Sequence, residues 1–326
     1  MKTKIYIYGL CDVFYDGYYI QGLREVYKNV EFNVSKFPKF NQGTFAFILN
    51  DNNQTTKVII DSRDSNQINK AQLEWCDVYG KVNYNTDNLS SEDQKKIVAI
   101  GPSFGIKIWN LTKTFFYLVS NFVRFRKSIA NKREFAANYW RQYKRLKLEE
   151  YNPIHSSVNE VFFISSIWKH EKETNRNRSL FIEACKSNTD LYFEGGFAPR
   201  KNGDNLGLDS LLYSKIVSLK VYMKKIKNSS VVFNTPAVLS CHGWKLGEFL
   251  ALGKAIITTS HHNILPADLE ANKHVIYVEN EDEIKKSINR LIADIDFKTK
   301  LEFESRNYFN QYLSPTKVIT RLIEKR

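Results

Sequence analysis

The stretch Val231 to Thr258, VVFNTPAVLSCHGWKLGEFLALGKAIIT, places His242, Gly243 and Lys245 in a loop ahead of a helix opened by Glu248, between two short apolar runs. A helix start presents unpaired N–H groups and the positive end of the peptide dipoles, and a glycine beside it lets a ligand approach the backbone. Such a turn suits a diphosphate. Lys245 adds a point charge, and the two oxygens of Glu248 match a pair of neighbouring sugar hydroxyls. Two plainer readings stand beside this one. KLGEFLALG is also an ordinary amphipathic helix, since glutamate favours first turns in general, and His242 is also a packed or capping histidine. The flanking strands and the glycine spacing favour the ligand loop; for His242 both readings stay open.

Strands and helices alternate around these residues. KIYIY at Lys4 to Tyr8 is β-prone, Gly9 breaks it, and YYIQGLREVYKN has helical spacing. Short strands follow at Glu31 to Val34 and Phe45 to Leu49. The continuous apolar run VIID at Val58 to Asp61 reads as a buried parallel strand. Beyond the helical NQINKAQLEWC come DVYGKVNYN and IVAIG. A second series runs from VFFIS at Val161 to Ser165 through a polar helix, DLYF, a helix over LLYSKIVSLKVYMKKIKN, the strand VVF, a helix ending at Gly253, AIITT, HVIYV, the helix EDEIKKSINRLIAD and a last helix from about Ser314. This order predicts an α/β protein with ligands at the carboxyl ends of its strands. Asp12 and Asp16 fall in the loop after the first strand, and Asp61 and Asp64 at the end of VIID; each is also a natural N-cap or Asx-turn residue.

Charge is unevenly spread. The chain of 326 residues carries 48 Lys and Arg against 35 Asp and Glu, a net +13. Residues 107–148 alone hold 11 basic residues and one Glu among ten aromatics. Phe115, Leu118, Val119 and Phe122, and again Phe135, Tyr139, Tyr143 and Leu146, recur at helical spacing. Three readings compete: helices lying on an anionic membrane surface through Arg124, Arg126, Lys127, Trp140, Lys144 and Arg145; nucleic-acid binding by charge and stacking; or a helical insertion packed on the sheet with solvated charges. The membrane reading leads, and nucleic acid ranks last.

The carboxyl-terminal half resembles the second lobe of GT-B glycosyltransferases, especially the group containing glycosyltransferase family 4. The pattern there is a Glu, then GFG, a second Glu eight positions after the first, and AxxxGKPVI-like text. Gly243 falls on the second glycine, Glu248 on the second Glu, and Ala251, Gly253, Lys254 and Ile257 on the tail. Ser240 stands where the first Glu would be, and Ala255 where proline is usual. The resemblance implies two Rossmann-like lobes facing a cleft, with the helical basic insertion between them. The acceptor lobe would span 1–152, the donor lobe 153–312, and residues 313–326 would form a helix crossing back to the first lobe. It also implies a nucleoside diphosphate sugar as co-substrate, with no cofactor or metal, and a glycan or lipid-linked glycan as acceptor in surface polysaccharide synthesis. Glu248 would hold the donor ribose and the backbone at Gly243 the transferred sugar. Lys245 would stabilise the diphosphate together with Arg200 or Lys169, of which Arg200 is preferred for its bidentate guanidinium. In an inverting enzyme, Asp12, Asp16, Asp61 or Asp64 would be the general base.

The composition excludes a disordered or collagen-like chain. Cys11, Cys76, Cys185 and Cys241 form no CxxC pair, which fits a reducing cytosol. The basic, apolar start resembles a leader, but Asp12 and Asp16 follow and no cleavage site appears, so it reads as a strand. The longest apolar run, Phe115 to Val123, is half of the roughly 18 residues a spanning helix needs. The expected location is therefore the cytoplasmic face of the membrane. Two other readings remain: a non-catalytic basic nucleic-acid-binding or scaffold protein, and a nucleotide-sugar epimerase of the same fold.

Overall fold

The computed structural model describes residues 3–51, 54–87, 89–154, 156 and 159–325. Of the linker-like stretch EEYNPIHSS, His155 and Ser157 lie outside them. The chain divides into two compact units, one of residues 1–151, 264–266 and 311–326, the other of 152–263 and 267–310. Segment 264–266 and residues 311–312, expected with the second lobe, group with the first unit.

The first unit runs β1 (Lys4–Tyr8), α1 (Gly17–Val26), β2 (Val30–Asn33), β3 (Phe45–Asp51), β4 (Gln54–Asp61), α2 (Lys70–Trp75), β5 (Val78–Lys81), α3 (Ser91–Lys96), β6 (Ile97–Ala99), α4 (Leu111–Phe125) and α5 (Lys132–Tyr143). Its six strands pair in the order β2-β1-β3-β4-β5-β6. The sheet is mixed. β3 runs antiparallel to both neighbours because it forms a hairpin with β4, in register from Phe45 opposite Ile60 to Asp51 opposite Gln54. The other pairings are parallel. Ile5, Ile7, Phe45, Phe47, Val58 and Ile60 are buried, as central strands require. α4 docks on the end of β1 through Phe125, whose ring would lie 2.4 Å from a Cβ at Gly9. Only glycine leaves room for that contact.

The second unit runs β7 (Glu160–Ser166), α6 (Lys172–Ser187), β8 (Tyr192–Ala198), α7 (Leu219–Asn228), β9 (Val232–Asn234), α8 (Trp244–Ala251), β10 (Ile256–Thr258), β11 (Ile276–Tyr277), α9 (Glu281–Ala293) and α10 (Ile295–Tyr308). All its strand pairings are parallel, β7 with β8 and β10 between β9 and β11, and β7 lies beside β9. Val161, Phe163, Phe181, Phe233, Ile257, Ile284 and Leu301 belong to one core, in which the Phe181 and Phe233 rings stack at 4.5 Å. Gly253, at φ +58, supplies the left-handed residue just beyond α8.

Two sequence expectations change here. The helix expected from Leu211 begins only at Leu219, capped by Ser218. Leu212 and Tyr213 are instead drawn to β8, where the Tyr213 N–H donates to the Phe197 carbonyl at 2.7 Å. α10 was not expected at all. The chain ends in α11 (Pro315–Glu324), which belongs to the first unit and packs on α1, where a Cβ at Gly22 would meet the Pro315 carbonyl oxygen at 2.3 Å.

Candidate functional site

In the second unit the parallel strands direct their carboxyl ends at the loops that carry the expected donor-binding residues. Gly243 is the N-cap of α8, and having no side chain it leaves the first turn without a side-chain cap. The preceding loop is strained. Leu239 and Ser240 both adopt left-handed backbone, at φ 55 and 58. The Leu239 N–H donates to Glu171 at 2.9 Å, and Asn263 donates to the Ser240 carbonyl at 3.0 Å, so neighbouring loops hold this conformation in place.

Two cations converge on the end of β7. The Lys245 ammonium donates to the Ile164 carbonyl and lies 5.1 Å from the centre of the Phe163 ring. Arg178, on α6, donates to the Ser166 carbonyl at 3.0 Å and to the Thr235 hydroxyl at 2.9 Å. Burial brings Lys245 down to about 7; the charge of Arg178 adds to the fall, while Glu248 opposes it. Burial likewise lowers Arg178 to about 10. Glu248 is itself buried, and because α8 already begins at Trp244, Lys245 stands in its first turn and Glu248 in its second, which corrects the expectation of a loop lysine ahead of a helix opened by Glu248. Sequence reading missed Arg178, which sits in the polar run NRNRS and resembles a surface charge. The available signal was its spacing: Arg178, Phe181, Ile182 and Cys185 share one helix face, and all are buried.

Beyond the same strand ends lies a cavity of about 330 Å³, whose lining does not include Arg178, Gly243, Lys245 or Glu248. Pro236, Thr259 and Val278, which follow β9, β10 and β11, line it together with Thr174 and Ser240, and Glu171, Glu173 and Glu279 add carboxylates. The Thr259 hydroxyl is buried without a partner among the described residues. His242 is buried 5.6 Å from His261 between ring centres. Burial first, and the His261 charge second, push His242 down to about 3; burial also lowers His261 to about 4. Both rings are neutral near pH 7, and His242 is too weak a base to take a proton there. His261 joins Tyr277 at 3.2 Å and Asn234 at 3.5 Å in a polar row across the strand ends.

The other two basic candidates stand differently. Lys169 is exposed in the turn after β7. Arg200 folds back on its own loop, donating to the Asp204 carbonyl at 2.8 Å and pairing with its carboxylate at 3.3 Å. The guanidinium near Lys245 is that of Arg178.

In the first unit the four aspartates separate by environment. Asp61 accepts from Arg63, Tyr79 and the fully buried Lys81, the last at 2.9 Å. Burial alone would raise it, but Arg63 and Lys81 outweigh that and hold its carboxyl below the usual range. This is an ion-paired strand end and a poor base. Asp64 is exposed, and partial burial raises it. Asp16 is buried and accepts the Asp12 N–H at 2.9 Å; burial, then the charge of Asp12, raise it well above the carboxylate range. Asp12 accepts the N–H groups of Phe14 and Tyr15 in an Asx turn and the Asn138 amide at 2.6 Å, and burial is the main cause of its raised pKa. Among the described residues no group of three or more His, Cys, Asp or Glu is placed to hold a metal ion.

Of the basic aromatic residues, Arg126, Lys127, Trp140 and Lys144 are exposed, with the Lys144 ammonium 4.5 Å from the Trp140 ring centre. Arg145, half-buried, donates to the Gly105 carbonyl at 2.9 Å, and Arg124, though exposed, donates to the Phe32 carbonyl at 3.1 Å and meets Glu31 at 3.5 Å. No helix of the described residues is long and apolar enough to cross a membrane.

No protein-family model and no curated protein matches the chain. Solved structures do resemble it. They include a glycosyltransferase from Rickettsia africae (14% identity, TM-score 0.48, 82% of this chain and 69% of that one) and HepE from Anabaena in complex with UDP and glucose (11%, 0.47, 82% and 70%). TarM is similar at 12% identity and a TM-score of 0.46 over 81% of this chain, which spans about half, 47%, of TarM.

Proposed function

We propose that the chain is a GT-B glycosyltransferase that moves a sugar from a nucleoside diphosphate sugar to a glycan or lipid-linked glycan acceptor in the assembly of a surface polysaccharide. The observation that carries this reading is the set Arg178, Lys245 and Glu248 beside the uncapped start of α8, at the carboxyl ends of a parallel sheet. The two cations rest on neutral carbonyls, which a diphosphate would replace as a stronger acceptor. When the acceptor oxygen attacks the anomeric carbon, the bond to the diphosphate breaks and negative charge grows on the departing oxygen. Arg178, Lys245 and the helix start stabilise that charge, and pre-placed groups do so without reorganisation.

Glu248 binds the ribose hydroxyls. The sugar occupies the 330 Å³ cavity, where Glu173 and Glu279 supply carboxylates for its hydroxyls in place of the one that Ser240 lacks. Within the first unit, Asp12 is the aspartate whose environment best suits the general base that an inverting transfer would need, because its pKa is raised and its amide partner Asn138 fixes its orientation. His242 contributes as a neutral ring.

Calorimetric titration with UDP-, GDP- and CMP-sugars tests the reading. One donor class is expected to bind, and Glu248→Ala to weaken it by about tenfold or more, since hydrogen bonds to a charged group are worth roughly 1.5–3 kcal/mol. Unchanged affinity in that variant would remove Glu248 from the site and the reading with it.

A further inference from the structure

α4 is built inside out for a helix on a globular protein. Its buried side chains include the polar Thr114 and Asn121, the latter donating to the Tyr139 hydroxyl at 2.9 Å, whereas Leu111, Phe115, Phe116, Val119 and Val123 are exposed. Phe115 is 66% exposed, and Phe116 and Val123 63% each. At about 100° per residue these five fall within an arc of about 140°, opposite Thr114, Asn121 and Phe125. A contiguous exposed apolar stripe of this kind marks an interaction surface.

Charge indicates what covers it. Arg126 and Lys127 follow the helix directly and are exposed, Lys132 and Arg133 open α5, and the exposed Trp140 with Lys144 on that helix adds an aromatic anchor. Lys113 stands in the first turn of α4, so cations flank the stripe at both ends. Within residues 107–148 the one acidic residue is Glu134, which pairs with Arg141; Glu25, Glu149 and Glu150 share a pocket with Lys113 and Glu31 meets Arg124, so the cations of this set free of acidic neighbours among the described residues are those directly after the carboxyl end of α4. An acidic protein could satisfy the cations but would leave aromatic rings facing its polar rim. An anionic lipid surface satisfies both, taking the rings below the headgroups and the cations at their phosphates.

We infer that α4 lies in the plane of an anionic bilayer, with Leu111, Phe115, Phe116, Val119 and Val123 inserted and Arg126 and Lys127 on lipid phosphates. This goes beyond the donor site and does not depend on it. The test is flotation of the whole chain with vesicles of phosphatidylcholine alone or mixed with phosphatidylglycerol. Binding is expected to the mixed vesicles, to weaken with salt, and to fall at least tenfold in Phe115→Ser/Phe116→Ser and roughly fivefold for each of Arg126→Glu and Lys127→Glu.

Cys11, Cys76, Cys185 and Cys241 are all buried, so a polarity-sensitive dye reacts selectively at Val119→Cys. Its emission is expected to shift to the blue on adding mixed vesicles. Equal binding to both vesicle types, no dye shift, or a dimer that the double serine variant disrupts without any vesicle binding would overturn the inference. Nucleotide-sugar titration of the same variants without vesicles separates its failure from failure of the glycosyltransfer reading.

Discussion

Each unit buries charged side chains at the end of a strand, and the two sets are treated in opposite ways. In the first unit Asp61 is enclosed by Arg63, Tyr79 and Lys81, a closed set in which each charge meets its opposite at hydrogen-bonding distance. In the second, Lys245 and Arg178 crowd together on uncharged oxygens, and burial lowers the pKa of both. Burial of an ion is tolerated when a partner compensates it. The paired cluster is compensated within the fold, whereas the second has only the more distant Glu248 and Glu171 against its two cations, and under the proposed function a diphosphate would complete it.

Breaking the first cluster should produce the largest change. Lys81→Met leaves Asp61 buried with one cation fewer and should cost about 3 kcal/mol in denaturant unfolding, without altering nucleotide-sugar affinity. Lys245→Met should do the reverse, leaving stability unchanged or raised while weakening nucleoside diphosphate binding by about tenfold. The same lysine predicts a pH dependence. With its pKa near 7 in the free protein and higher beside a diphosphate, affinity should fall about tenfold between roughly pH 6 and 8, and calorimetry of Lys245→Met should show a flat profile.

At neutral pH the smallest effect concerns His242. Its folded-state pKa of about 3 lies below its ordinary value of 6.5, so the unfolded chain binds the proton that the folded chain refuses. Stability should rise with pH between those values and level off above them, and His242→Gln should flatten part of that slope in acid-unfolding curves.

How much of this was legible from residues alone varies by element. β1, β4, β7 and β9 announced themselves as short β-branched and aromatic runs, and α8 by Gly243, although the helix opens at Trp244 and Glu248 falls in its second turn. α10 did not, because its buried face carries Lys298, Glu302 and Ser305 along with Leu301, which erases the apolar period that marks a helix. Leu211 to Ser218 had that period without the helix, since the edge of β8 offered Leu212 and Tyr213 another backbone partner. Phe115 and Val119 showed the right spacing for α4 but not its direction, for periodicity defines a face without saying what it faces.

The sequence by itself determined most of the strands and helices, the clustering of basic charge in residues 107–148 and the chemical character of the loop before α8, because each depends on neighbours along the chain. Tertiary structure alone decided that β3 runs against its neighbours, that Arg178 meets Lys245, that Asp61 is closed off while Asp12 keeps a raised pKa, and that the apolar stripe of α4 points outward. These depend on burial and on partners distant in sequence, and the energy of a charge or an exposed ring is set by what surrounds it in space.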